Sequence, residues 1–157
     1  MKPLRLALAQ YAIERVAGVE GFGARLDRLA AEATARGAWL VLCPCRTDTM
    51  WGFNRVRLAA RARALENQCY VVIAPTVGAA PWLAARDDNH GYAAAFGPVD
   101  RGFPPDGVLT RGALDEPGMV FVRLDPERLG VPRAEGGVRN HADWPPDPKP
   151  CPVRTPA

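Results

Sequence analysis

The sequence has few of the residues on which several protein classes depend. Only two of its 20 basic residues are lysines, Lys2 and Lys149, and its 157 residues include two histidines and four cysteines. Four cysteines are too few for a disulfide framework in a chain of this length, so we expect free thiols and a cytoplasmic protein. Apolar runs such as residues 38–43 are too short to span a membrane. Arg5 and Gln10 interrupt the first apolar stretch, which argues against a secretory signal.

Other partners and cofactors also lack a sequence signal. The balance of 20 basic and 17 acidic residues gives a net charge of +3, too small an excess to indicate a nucleic-acid partner. The chain has no glycine-rich loop of the Walker or dinucleotide-binding type. Cys43 and Cys45 form a C-x-C pair, but no second pair or nearby histidine completes a zinc site. We therefore expect no metal and no cofactor.

The overall composition is typical of one globular domain. Hydrophobic residues make up 48% of the chain and charged residues 24%. The 15 glycines and 16 prolines indicate extensive loops and turns. Prolines are dense near the end of the sequence, which predicts a domain over residues 1–145 and an extended or disordered tail over 146–157.

Hydrophobic periodicity predicts an α/β arrangement. Short apolar runs predict buried strands at 4–9, 38–43 and 70–74. A helix is expected from Phe22 to Gly37, with the glycine ending it in the left-handed conformation. The first strand, this helix and the second strand form a βαβ unit, whose strands are parallel.

The later segments predict a second helix and several short strands. The helix is expected over residues 54–68, with Asn54 as its N-cap. Pro44 and Pro75 are expected to end the strands that precede them. Further strands are predicted at 92–96, 108–110 and 119–124.

The stretch RARALENQCY combines arginine, glutamate, asparagine and cysteine, but a structural interpretation is favoured over a catalytic one. Glu66 follows Arg63 by three residues, the spacing of an intrahelical ion pair. Asn67 and Gln68 lie where a helix ends and its last carbonyl groups need partners. Cys69 enters a buried strand, where a cysteine usually acts as a small hydrophobic residue.

The remaining polar candidates give no defined site. His90 and His141 lie in polar, loop-like segments, and nothing in the sequence brings either of them to a cysteine. The arginines at positions 55, 57, 61 and 63 are spread around the second helix and form no single basic face. A phosphate or nucleic-acid site is therefore not expected.

Three segments of the chain resemble the nitrilase superfamily of carbon–nitrogen hydrolases. They are RVRLAARARALENQCYVVIAPTVG at 55–78, NHGYAAAFGPVDRGFPPDGVLTRGALDEPGMVFVRLD at 89–125 and RNHADWP at 139–145. The opening LRLALAQY, the helix after it and GAWLVLCP look like that family's first strand, helix and second strand. The resemblance covers almost everything from residue 4 to residue 145.

This resemblance implies a fold and a chemistry. The family folds as an α-β-β-α sandwich with mixed sheets, commonly dimeric, so this chain is expected to be a truncated version of that sandwich. The family hydrolyses nitriles or amides with a Glu–Lys–Cys triad. Its cysteine attacks the carbon, its glutamate acts as general base, and its lysine stabilises the developing charge.

None of the three catalytic residues is found at its matching position. Where the family has a Pro-Glu pair after the second strand, this sequence has Pro44-Cys45, so Cys45 occupies the place of the glutamate. No lysine lies between Lys2 and Lys149. The turn that carries the nucleophile has no counterpart, since Cys69 matches a helix-to-strand junction instead. The resemblance therefore implies no catalytic residue in this chain.

An internal deletion would explain this pattern. In complete members a later strand reads like the second strand and leads into a Thr-Asp-Thr-like stretch, and here residues 37–44 are followed at once by Thr47-Asp48-Thr49. We hypothesise that two similar strand segments were joined, which removed the strands, lysine and nucleophile between them. Unpaired sheet edges and exposed apolar surface would follow, and both favour self-association.

Two functional hypotheses follow. The first is a nitrilase-like protein without hydrolase activity of its own, present as a homo-oligomeric or binding module or as a gene remnant. The alternative is an active amide or nitrile hydrolase with a rearranged site, built from Cys45 or Cys43 with Glu66 or His90. A small amide or nitrile ligand is expected only if such a site survives, and neither nucleic acid nor membrane is expected as a partner.

Overall fold

The computed structural model describes residues 19–82 and 88–143 of the chain. The predicted strand at 4–9, which is the first strand of the expected βαβ unit, lies outside the described residues, as does the predicted tail at 146–157. The boundary between domain and tail is therefore not tested.

Helices and strands alternate through the first half of the described residues, and short elements follow. The helices are α1 (Val19–Ala35), α2 (Met50–Glu66), α3 (Gly130–Glu135) and α4 (Asn140–Asp143), with a 3₁₀ turn at Pro126–Leu129 before α3. The strands are β1 (Leu40–Cys45), β2 (Tyr70–Pro75), β3 (Gly78–Ala79), β4 (Asp88–Asn89), β5 (Ala94–Phe96) and β6 (Val108–Arg111). Among the described helices, none is long and apolar enough to cross a lipid bilayer.

The main sheet is mixed and has the order β1-β2-β5-β6. Strands β1 and β2 are parallel and are connected through α2, which makes β1-α2-β2 a βαβ unit. Strand β5 runs antiparallel to both β2 and β6. Strands β3 and β4 form a separate antiparallel pair. The expected α/β class with mixed sheets is confirmed.

Helix α2 begins four residues before the predicted start, so the prediction of Asn54 as its N-cap was wrong. Thr49 is the cap: its backbone is extended and its Oγ accepts a hydrogen bond of 3.1 Å from the backbone N–H of Gly52. Asn54 lies inside the helix, where its Oδ1 accepts a hydrogen bond from Arg57 Nε. Gly52 lies in the first turn of α2, and because glycine is unfavourable within a helix, the sequence pattern predicted a helix that begins after it.

Strand β1 continues through Pro44 to Cys45, although the proline was expected to end it. Among the described strands, β1 lies at one edge of the sheet. Proline has no backbone N–H to donate. A central strand must form hydrogen bonds with a neighbour on each side, whereas an edge strand forms them with one neighbour only and tolerates a proline. The parallel register brings Pro44 beside Ala74 and Cys45 beside Pro75, so β2 also extends one residue further than predicted.

One face of helix α2 packs on the main sheet and forms the core. Its buried residues Phe53, Ala60 and Ala64 contact a cluster that also contains Cys69, Val71, Ile73, Ala94 and Phe96. The Cys69 side chain is 0% exposed, which confirms that it acts as a small hydrophobic residue. Burial raises the pKa of its thiol to about 12, so this sulfur is neither ionised nor accessible at neutral pH.

The C-terminal end of α2 confirms the structural interpretation of the ENQ stretch. Arg63 Nη1 lies 2.8 Å from Glu66 Oε2 and 2.6 Å from Asp27 Oδ1, so the ion pair also joins α2 to α1. The Asn67 side chain donates to the carbonyl of Arg63, as expected for a residue that satisfies the end of a helix. Gly37 ends α1 with a φ of +94°, as predicted.

Residues 119–124 are not a strand, which corrects the prediction for that segment. Five of the six residues are apolar, as in a buried strand, but no described strand pairs with them in a hydrogen-bond ladder. The side chains of Met119 and Phe121 are 81% and 82% exposed. Leu42 on β1 and Trp51 on α2 are also exposed, at 66% and 78%. The expected exposure of apolar surface is confirmed.

Candidate functional site

Cys45, which the resemblance is expected to match to the family's glutamate, lies where the parallel strands β1 and β2 end. The backbone N–H of Thr76, just after β2, donates to the carbonyl of Cys45, the last residue of β1. The carboxyl ends of parallel strands are a frequent location of functional groups in α/β proteins. We call the polar residues gathered here the strand-end cluster: Cys45, Thr47, Thr76, Asn89, His90 and Asp115.

Two short segments are held together within the strand-end cluster. The backbone N–H of His90 donates to the carbonyl of Thr47 at 2.9 Å, and Thr47 Oγ donates to the carbonyl of His90 at 2.6 Å. Beside them, Asn89 Oδ1 accepts hydrogen bonds from Arg46 Nε and Thr76 Oγ. These contacts hold His90 against Thr47, which lies two residues after Cys45 in the chain.

His90 is oriented by a carboxylate. Its Nδ1 lies 2.9 Å from Asp115 Oδ2, and the other carboxylate oxygen accepts a hydrogen bond of 2.8 Å from the backbone N–H of Gly91. The hydrogen bond with His90, followed by that from Gly91, lowers the pKa of Asp115. Asp115 has a φ of +60°, a left-handed conformation that aspartate tolerates better than most residues. A His–Asp pair of this kind fixes the orientation of the imidazole ring.

The backbone can pass through this cluster only because residue 91 is glycine. A Cβ atom there would lie 2.8 Å from Phe53 Cδ2 and 2.9 Å from Pro75 Cγ, closer than side chains allow. The φ of Gly91 is +150°, which also favours glycine. The buried Phe53 ring of α2 thus sets how closely the His90–Asp115 pair approaches the ends of β1 and β2.

The two cysteines of β1 lie on one face of the strand, where both are half-buried against the core. Burial raises the pKa of both thiols, and the Cys43 sulfur raises that of Cys45 further. Since both pKa values lie above the usual 9.0, both sulfurs are protonated at neutral pH. A protonated thiol is neither a general base nor an effective nucleophile.

Two other candidates lie away from the strand-end cluster. Glu66 is at the end of α2, beside the start of β2, so the six-residue length of the strands separates it from Cys45. His141 belongs to α4, where its backbone N–H donates to the Gln68 side chain, also at the start of β2. Burial and the nearby Arg133 lower the pKa of His141. The structure therefore brings His90, but neither Glu66 nor His141, toward the cysteines of β1.

The arginines of α2 bind separate partners rather than forming one anion site. Arg57 donates to Asn54, Arg61 donates to the carbonyl of Asp106, and Arg63 pairs with acidic side chains. This agrees with the expectation that no single basic face exists on the helix.

Two pockets in the described part of the chain lie away from the cysteines. One, between α1, α2 and α4, has a volume of about 20 Å³, which suits a single water molecule. The other is an open depression beside the 3₁₀ turn, lined by residues 123–126 and Arg128. Neither pocket is lined by Cys43, Cys45 or His90. Among the described residues, no group of three or more histidine, cysteine or acidic side chains is arranged to hold a metal ion.

Sequence comparison confirms the resemblance to the nitrilase superfamily. The chain is 35% identical over 118 residues to a probable hydrolase, YhcX, of Bacillus subtilis. It is 26% identical over 108 residues to a deaminated glutathione amidase of Synechocystis. Both relatives are members of the nitrilase superfamily. No protein-family model matches the chain.

These relatives are much longer than the chain. The matched residues make up 75% and 69% of this chain, but only 22% of the Bacillus protein and 36% of the Synechocystis protein. Most of each relative thus has no counterpart in the matched region. The match therefore does not assign the activities of the complete relatives to this chain.

Sequence reasoning did not identify Thr47, Asn89 and Asp115 as members of the site. Asn89 lies in an Asn-His-Gly stretch and Asp115 in a Leu-Asp-Glu-Pro-Gly turn, which mark loops in the sequence. Nothing local connects His90 with a carboxylate 25 residues later. Only the antiparallel pairing of β5 with β6 brings the two loops together.

Proposed function

Since the chain is related to the nitrilase superfamily, we propose that it is a nitrilase-like protein with no Glu–Lys–Cys triad and no carbon–nitrogen hydrolase activity of its own. The observation that carries this proposal is the residue at the end of β1. Where the family has its general base, this chain has Cys45, a half-buried free cysteine whose raised pKa keeps its thiol protonated at neutral pH.

The residues around Cys45 do not replace the missing base and cation. A general base must accept a proton near neutral pH, and the thiol of Cys45 has a pKa raised further above that range. The carboxylate of Asp115 is bound by His90 and by the Gly91 N–H. Both lysines lie outside the described residues, at positions 2 and 149. Loss of one catalytic group typically lowers the rate by orders of magnitude, and here none of the three groups is retained at its matching position.

The proposed origin is the joining of two similar strands. Strand β1 is followed after only four residues by helix α2, and the two elements form a closed parallel unit with β2. A joint at this point keeps a foldable βαβ unit while it removes the strands between the two similar segments. Sequencing the gene across codons 36–50 tests this origin, and an intact longer reading frame would contradict it.

The experiment for the proposed function is an assay for ammonia. Purified protein is incubated with a panel of ω-amides, N-carbamoyl amino acids and nitriles, and ammonia is followed over time. We expect no turnover above that of a heat-treated sample. Turnover that disappears in Cys45→Ala or in Cys43→Ala, but persists in Cys151→Ala, would overturn the proposal.

A second candidate function is favoured by one observation, the orientation of His90 by Asp115. A histidine held by a carboxylate through Nδ1 is the base–orienter arrangement of many hydrolases that use a cysteine. A rearranged hydrolase would pair this base with Cys45 or Cys43. In the same ammonia assay it predicts activity that falls in both His90→Ala and Asp115→Asn, whereas Glu66→Gln should have no effect because Glu66 lies at the opposite end of the strands.

We also propose that the chain forms a homo-oligomer in the cytoplasm, with residues 1–145 as its domain and 146–157 as a tail. Support comes from the number of large apolar side chains that are exposed, among them Leu42, Trp51, Met119 and Phe121, since exposed apolar surface favours association. Light scattering on the purified chain measures the mass directly. A stable monomer across a wide concentration range would contradict this part of the proposal.

A further inference from the structure

Residues 119–124 expose large apolar side chains on one side of the segment. Met119 and Phe121 are almost fully exposed, whereas Val120 between them is half-buried. A Cβ atom at Gly112, the residue after β6, would lie 3.0 Å from Val120 Cγ2, so the Val120 side chain faces the body of the protein. Exposure that alternates from one residue to the next indicates an extended backbone, in which successive side chains point to opposite sides.

The backbone of this segment is open to pairing with another strand. Residues 118–124, which we call the pairing segment, belong to no helix or strand, and no backbone hydrogen bond joins them to other described residues. The next residue, Asp125, is held in place because its carbonyl accepts a hydrogen bond of 2.8 Å from the Tyr70 hydroxyl. An extended apolar segment with open backbone groups is a template for strand addition.

Prolines limit the length of any ladder that forms here. Pro117 and Pro126 flank the pairing segment and have no N–H to donate. The carbonyl of Asp125 is already engaged by Tyr70. The segment therefore has the length of an ordinary β-strand, and Phe121 is its middle residue.

The residues of the pairing segment are complementary to those of a second copy. In an antiparallel pair with a two-fold axis at Phe121, the two Phe121 side chains lie opposite each other and Val120 lies opposite Val122. Aromatic and β-branched pairs of this kind stabilise neighbouring strands. Arg123 is the only charged residue of the segment, and it lies opposite the uncharged Met119. A second copy thus provides matched apolar pairs and places no like charges together.

We propose that two copies of the chain associate by antiparallel pairing of residues 118–124 across a two-fold axis at Phe121. The inference rests on the homo-oligomer proposed above and identifies the surface through which it forms. It does not depend on whether the chain hydrolyses amides. Two short strands form a small interface, in the class below about 1,200 Å² of buried surface that is typical of weak complexes, so the dimer should dissociate on dilution.

The test changes the charge at the two-fold axis. Phe121→Glu and Phe121→Lys each place two like charges opposite one another, and each should weaken self-association by about 10-fold or more. A 1:1 mixture of the two variants brings glutamate opposite lysine and should restore the dimer. Sedimentation equilibrium over a dilution series measures the dissociation constants. Leu58→Glu and Leu58→Lys, at an exposed apolar position on α2, are the matched controls and should leave association unchanged.

Hydrogen exchange tests the backbone pairing separately from the side-chain contacts. In concentrated unchanged protein, the amide protons of the pairing segment should exchange more slowly than in diluted protein or in Phe121→Glu. Circular dichroism checks that each variant keeps the fold, which is expected because the Phe121 side chain is exposed.

The outcomes separate this inference from the proposed homo-oligomer. An oligomer that persists unchanged in Phe121→Glu, or that Leu58→Glu weakens equally, overturns the pairing but not the homo-oligomer. Glutamate and lysine variants that stay monomeric when mixed overturn the two-fold axis at Phe121. A monomer at every concentration overturns both proposals. Amide protons of the pairing segment that are equally protected in dilute monomer would show that the same chain covers them, which also overturns the pairing.

Discussion

The Gln68 side chain holds the C-terminal helices on the corner between α2 and β2. It is fully buried, and its Nε2 donates to the carbonyls of Pro132 at 2.8 Å and Val138 at 3.1 Å. Its Oε1 accepts a hydrogen bond of 3.0 Å from the backbone N–H of His141. One amide thus satisfies three backbone groups of the segment that contains α3 and α4.

Replacing Gln68 with alanine should therefore destabilise the protein strongly. Three hydrogen bonds at roughly 1 kcal/mol each, with backbone groups left unpaired, give an expected loss of about 2–4 kcal/mol in the free energy of unfolding. The residue also has a φ of +45°, where alanine is strained and glycine is not. Gln68→Gly should consequently be about 1 kcal/mol more stable than Gln68→Ala.

Urea unfolding followed by far-UV circular dichroism measures both differences. Arg55→Ala is the control, since this exposed position on α2 should change stability by less than about 0.5 kcal/mol. Hydrogen exchange should also show residues 130–143 opening more often in Gln68→Ala. A Gln68→Ala variant as stable as the control, or a glycine variant less stable than the alanine variant, would refute the role assigned to Gln68.

Two further predictions concern a helix cap and a carboxylate. Thr49→Ala should lower the free energy of unfolding by about 1 kcal/mol in urea titrations, while Asn54→Ala changes it by less, because Thr49 caps α2; equal losses would contradict this assignment. The N–H of Gly137, followed by that of Arg101, lowers the pKa of Asp100. A lowered folded-state pKa stabilises the fold above pH 3.8, the unfolded value, and this contribution is lost as the pH falls further. Asp100→Asn should therefore flatten the acid side of the stability profile, and an unchanged profile would contradict the assignment.

The sequence predicted the elements that local patterns define. The apolar run at 70–74 and the glycine at 37 led to the correct strand and helix end, because burial on both faces and a left-handed cap leave local signals. The start of α2 was misplaced, since Thr49 and Asn54 are both favourable caps and only tertiary packing chooses between them. A sequence pattern alone did not separate them.

Features that depend on distant partners were not predictable in the same way. Residues 119–124 form an apolar run like that of a buried strand, but a strand also requires a neighbour that supplies hydrogen bonds. The His90–Asp115 pair and the contacts of Gln68 join residues 25 or more positions apart. The place of Cys45 just after the second apolar run followed from the resemblance, whereas its inclusion in β1, beside Pro75 of β2, emerged only from the structure.

The central claim, that no sulfur of this chain attacks a carbon–nitrogen bond, is tested most directly by looking for the covalent intermediate. The protein is mixed with the ω-amides and nitriles of the panel, quenched in acid within seconds, and weighed intact by mass spectrometry. We expect only the unmodified mass, because burial raises the pKa of both thiols of β1 and keeps them protonated at neutral pH. A thioester or thioimidate adduct that is absent from Cys43→Ala or from Cys45→Ala would contradict the claim.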